Sequence, residues 1–112
     1  REAIQRAGMA LGYTLSGPVL MGVLNGCKAE PELAFTPQFL TKEHAHVITR
    51  MVDIIIPETD TPGAVKAGIP AFIDTMLKDI YAETDKTRMV SGIEAFDQGA
   101  ANDFGKRFAE CN

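Results

Sequence analysis

The sequence predicts an all-α fold, a small helical bundle after an N-terminal signal or anchor segment. Three observations carry that expectation. Between residues 41 and 101, apolar side chains recur at three- and four-residue spacings, the period of a helix face. Proline and glycine fall between the stripes, where helices stop. The first 26 residues carry almost no charge and differ in character from all that follows.

The chain has 112 residues, enough for one domain. Hydrophobic content of 46% against 23% charged residues is that of a globular protein. A formal net charge of −4 argues against nucleic-acid binding through a basic surface. The two cysteines, Cys27 and Cys111, are too few for a disulfide framework.

In residues 1–26 the charges are Arg1, Glu2 and Arg6, all at the start. The next eighteen residues, Ala7 to Leu24, have none. A basic start followed by an uncharged, moderately apolar run is the layout of a secretory signal. The run is rich in Gly, Ser and Thr, and Gly17-Pro18 would break a continuous helix. Its length is at the short edge of what spans a bilayer.

The run ends in "LNGC", Leu24 to Cys27, which resembles the lipobox of bacterial lipoproteins. That resemblance makes residues 1–26 a signal peptide and Cys27 the lipid attachment point. Each acyl methylene buried in a bilayer contributes about 0.8 kcal/mol, and stable anchoring takes more than one chain. The plainer alternative is a free or buried cysteine after a turn. Arg1 opens the chain without a methionine, and an arginine before it would complete a twin-arginine export signal. The general secretory route is the alternative.

Residues 27–40 read as a tether with two prolines, loosely held until Phe35 and Phe39. Without residues 1–26, fourteen acids face nine bases, a balance suited to an aqueous compartment and not to docking on anionic lipid by charge. Residues 41–112 read as the helical domain.

The first helix is expected near 41–56, capped by Thr41, with Glu43 in its first turn. Its stripe is Val47, Ile48, Met51, Val52, Ile55 and Ile56. Ile54 to Ile56 favour a strand locally, but the longer helical period decides. Pro57 stops the helix by excluding the α conformation at Ile56. "ETDTPGA" then reads as a turn, with Pro62-Gly63 its strongest signal.

A second helix is expected over 70–82, with Pro70 near its start and Phe72, Ile73, Met76, Leu77 and Ile80 on one face. A third is expected over 86–101, with the stripe Met89, Val90, Ile93, Phe96 and Ala100. Gly92 and Gly99 either weaken it, by up to about 1 kcal/mol each, or mark close helix packing. Phe104 and Phe108 call for more core than the 86 residues after the signal readily supply, so the domain is expected to continue beyond Asn112.

The stretch "DIIIPETDTPGAVKAGIPAFID", Asp53 to Asp74, with "GIEAFD" and "FGKRFAE" downstream, resembles the gluconate 2-dehydrogenase subunit 3 family. The resemblance covers roughly Phe35 to the end. It implies a small accessory subunit, not a catalyst, with no cofactor of its own. Its partner would be a large flavoprotein of the glucose–methanol–choline oxidoreductase type, which carries the FAD and the chemistry. A multihaem cytochrome c often completes such membrane-bound dehydrogenases. The small subunit is thought to assist export, maturation and stability of the flavoprotein, often through a twin-arginine signal. The lipobox departs from the simplest version of the family and points to anchoring on the periplasmic side of a bacterial membrane. The other function class is a stand-alone lipoprotein that acts as a scaffold or binding module. Co-purification with a flavoprotein separates the two.

The turn itself tempts a metal reading through Asp53, Glu58, Asp60 and Asp74, but the spacing fits no calcium loop. Capping and turn chemistry is the plainer account. His44 and His46, two apart on a helix, point in different directions and lack a third ligand. No nucleotide fingerprint or nucleophile elbow is present. Cys111 reads as a buried thiol or a bridge to another subunit. The candidate partner interface is the edge formed by Pro57, Thr61, Pro62 and Gly63, with Ile69 and Phe72 supplying apolar contact.

Overall fold

A computed structural model describes residues 32–111; Cys27 and the signal segment lie outside them. The described residues form α1 (Lys42–Ile55), α2 (Ile69–Asp79), α3 (Glu83–Phe104) and a closing 3₁₀ turn (Phe108–Glu110), with no strand among them. The all-α expectation holds. No described helix is long and apolar enough to cross a membrane.

Helix α1 is the central element and packs against α2, α3 and the 3₁₀ turn. Its start follows the sequence closely. The Thr41 side chain accepts the His44 N–H at 3.2 Å, a side-chain cap that satisfies one otherwise orphaned donor. The Glu43 carboxyl lies below its ordinary range, chiefly through a hydrogen bond with its own backbone and then one with Thr41. At the far end, Ile56 leaves the helix with φ −132° and ψ 81°, outside the α region that a following proline disfavours.

Leu40, Ala45, Val47, Ile48, Leu77 and Ile93 form the buried core. Leu33, Phe35, Phe39, Met51, Val52, Ile73, Met89 and Phe108 pack around it. Two members of the predicted α1 stripe fall outside: Ile55 and Ile56 are exposed, because no described element covers the last turn of the helix. The α2 face is corrected in the same way. Ile73, Leu77 and part of Met76 turn inward, whereas Phe72 and Ile80 stand in solvent.

Helix α2 ends at Asp79, three residues short of the predicted limit. The N–H groups of Ile80 and Tyr81 both turn back to the Met76 carbonyl, at 3.0 and 3.2 Å, which closes the helix there. Helix α3 runs longer than predicted at both ends. Asp85 and Lys86 donate to the Ala82 carbonyl, and Glu83 and Asp85 occupy the first turn, where negative charge favours the helix dipole. Gly105, at φ +68°, ends the helix in the left-handed conformation that glycine adopts without strain. Gly92 and Gly99 are not close-packing positions: a Cβ at either would meet nothing within 4 Å. Phe104 is exposed, while Phe108 joins the core and meets Phe96 edge to face, ring centroids 4.6 Å apart.

Candidate partner-docking site

The connection between α1 and α2 is a closed loop. The Ile56 carbonyl accepts the Ala64 N–H at 2.9 Å, and the Ala64 carbonyl accepts the Ile69 N–H at 3.1 Å. Buried Ala64 therefore ties the end of α1 to the start of α2 through its own peptide groups. Above this base, the Thr59 N–H donates to the Thr61 carbonyl at 3.1 Å. Lys66 braces the loop through an exposed ion pair with Glu58 at 3.0 Å.

Gly63 is buried in this loop, and the reason is proximity rather than conformation. A Cβ there would lie 2.5 Å from the Glu58 nitrogen and 2.8 Å from the Pro57 carbonyl carbon. The chain can fold back on the Pro57–Glu58 peptide only with a residue that has no side chain. Glycine is needed for a second reason at Gly68, whose φ of +78° reorients the chain for Ile69.

The predicted interface residues divide accordingly. Pro57, Thr61 and Pro62 are exposed on the loop, and Ile69 and Phe72 are exposed just after it. Gly63 lies inside and shapes the loop without offering a surface. Ile54, Ile55 and Ile56 complete the apolar rim on the α1 side, with Ile55 at 74% exposure and Phe72 at 59%. In sequence these residues flank the tied loop base, Ile54 to Ile56 before it and Ile69 and Phe72 after it. Sequence reasoning placed Ile55 and Ile56 in the core; the proline stop immediately after them was the available sign that the helix outruns its cover.

Three of the four acidic residues considered as metal ligands have separate occupations. Asp53 pairs with Arg50 at 3.4 Å, and Glu58 pairs with Lys66. Asp74 is only 2% exposed and accepts three backbone N–H groups, from Gln38 at 2.7 Å, Phe39 at 3.1 Å and Leu40 at 2.8 Å. Charge-assisted bonds of this kind answer the cost of burying a carboxylate. Asp97 acts similarly at the other end of the domain, with Arg107 Nε and the Phe108 N–H each at 2.8 Å. That hydrogen bond is the leading cause of a raised Arg107 pKa.

His44 faces Glu94 on α3 at 3.2 Å, and its Nδ1 is buried without a hydrogen bond. Among the described residues, no three His, Cys, Asp or Glu side chains gather as a metal site. Cys111 carries a free thiol, its Sγ 3.4 Å from the Arg107 carbonyl oxygen.

Residues 42–112 match the family model described as gluconate 2-dehydrogenase subunit 3. The chain belongs to that family. No curated protein and no solved structure gives a significant match. The family's description names a subunit of a dehydrogenase complex, and the matched region contains the closed loop, its apolar rim and all three described helices.

Proposed function

We propose that this chain is the small, non-catalytic subunit of a periplasmic, membrane-bound, FAD-dependent sugar or alcohol dehydrogenase. The family match over residues 42–112 carries the reading. In this role the chain assists export, maturation or anchoring of a large flavoprotein of the glucose–methanol–choline type. The FAD and the chemistry belong to that partner.

The loop rim suits the task physically. Ile54, Ile55, Ile56, Ile69 and Phe72 are large apolar groups left in water. Burying one such side chain fully against a partner contributes about 1.5–3 kcal/mol. The loop between them is already closed by hydrogen bonds, so little conformational entropy is lost on docking. Lipid attachment at Cys27 would hold the assembly at the membrane.

Co-expression of the full chain with a candidate flavoprotein of the glucose–methanol–choline type from the same organism tests the proposal. The flavoprotein is expected to co-purify with the chain, and its exported, flavin-loaded form is expected to fall when the chain is deleted. Unchanged export, flavin content and dehydrogenase activity in the deletion strain would refute it.

A further inference from the structure

Asp74 has a consequence for residues 33–40 that reaches beyond stability. Its carboxylate holds three consecutive N–H groups of that segment, on Gln38, Phe39 and Leu40. Leu33, Phe35 and Phe39 pack against the core, and Leu40 is part of it. Lys86 Nζ lies 5.6 Å from the centroid of the Phe39 ring, and Lys78 donates to the Gln38 side-chain carbonyl. Bonds from α2 and a cation from α3 thus secure the same short stretch.

We infer that Asp74 is a latch that makes residues 33–40 an integral strap, so that an acylated Cys27 holds the folded domain close against the lipid headgroups. The inference rests on the anchoring part of the proposed function. Cys27 and Leu33 are six residues apart in sequence. Whatever its conformation, a stretch of that length reaches at most roughly 20 Å. Were the whole segment to Leu40 unlatched, the same limit would rise to roughly 45 Å. The strap therefore halves the distance the domain can move from the bilayer.

Two measurements on the full chain in its native membrane test this. The first is amide hydrogen exchange. The Gln38, Phe39 and Leu40 amides are expected to be protected to the level of the Val47 and Ile48 amides, and the Asp74→Asn variant to lose at least tenfold of that protection at the strap. Exchange of the three wild-type amides at unstructured-chain rates overturns the latch. The second is energy transfer from a dye at Ser91→Cys, in a Cys111→Ser background, to an acceptor-labelled phosphatidylethanolamine. Transfer is expected to be strong, and to fall at least twofold when twelve Gly/Ser residues are inserted after Glu30, a change that leaves the strap intact even if the Asp74 variant fails to fold. Equal transfer with and without the insert overturns the short reach. A Cys27→Ser chain that stays on the membrane defeats the anchoring reading itself, while the exchange result continues to judge the latch separately.

Discussion

The two ends of α1 carry similar residues and meet opposite fates. Toward its N-terminal end, Ala45, Val47 and Ile48 are buried in a core shared with Leu40, Leu77 and Ile93, against which Leu33, Phe35 and Phe39 of the strap latched by Asp74 also pack. At its C-terminal end, Ile54, Ile55 and Ile56 stand exposed beside a loop bonded mainly to itself. Both ends show apolar residues at helical spacing, so the stripe alone does not decide burial. What decides it is whether the chain supplies something to lie over the stripe. The first end is completed within the chain. The second is an apolar surface of the kind a partner covers.

Substitutions can break this contrast at either end, and the largest effect is expected at the latch. Asp74→Ala removes the acceptor of three N–H groups, that of buried Leu40 and the partly buried ones of Gln38 and Phe39, and is expected to cost about 3 kcal/mol in a urea titration. Asp74→Asn keeps one acceptor oxygen and should lose less. Gly63→Val sets a side chain against the Pro57–Glu58 peptide and is expected to cost about 2 kcal/mol, close to the usual penalty for overpacking. It therefore probes the fold of the loop and not its outer surface. Asp97→Ala frees Arg107 and the Phe108 N–H, with an expected loss of about 1–2 kcal/mol and faster exchange in the 3₁₀ turn. Gly92→Ala adds a methyl group to open space on α3 and is expected to raise the urea midpoint by about 0.5–1 kcal/mol in stability. Ile55→Ser and Phe72→Ser should each stay within about 0.5 kcal/mol of the parent, since neither side chain is covered.

Much of the fold was legible because its signals are local. Thr41, Pro57, Gly68 and Pro70 act on backbone within a few residues of themselves, and each marks a helix boundary or its first turn. Helix ends without such residues drifted by about three positions, as at Tyr81 and Glu83, where backbone bonds to Met76 and Ala82 set the limits. Asp74 was read as a capping or turn residue because its partners lie 34 to 36 residues away in sequence. One clue was available: it occupies the buried face of α2 with Pro70, Ile73 and Leu77, where a carboxylate needs donors. Ile55 and Ile56 were misassigned because periodicity reports which side chains could be buried together, and says nothing about what covers them. Ile69 and Phe72 were identified as surface contacts because they sit directly after the loop.

The docking role of the exposed rim is tested most directly by a full chain carrying both Ile55→Ser and Phe72→Ser, co-expressed with the flavoprotein. Circular dichroism should show its helices intact. The flavin that co-purifies with it should fall at least about tenfold, equivalent to a loss of about 1.4 kcal/mol in binding. A folded double variant that recovers the full complement of flavin and dehydrogenase activity would contradict the assignment of this rim as the docking surface.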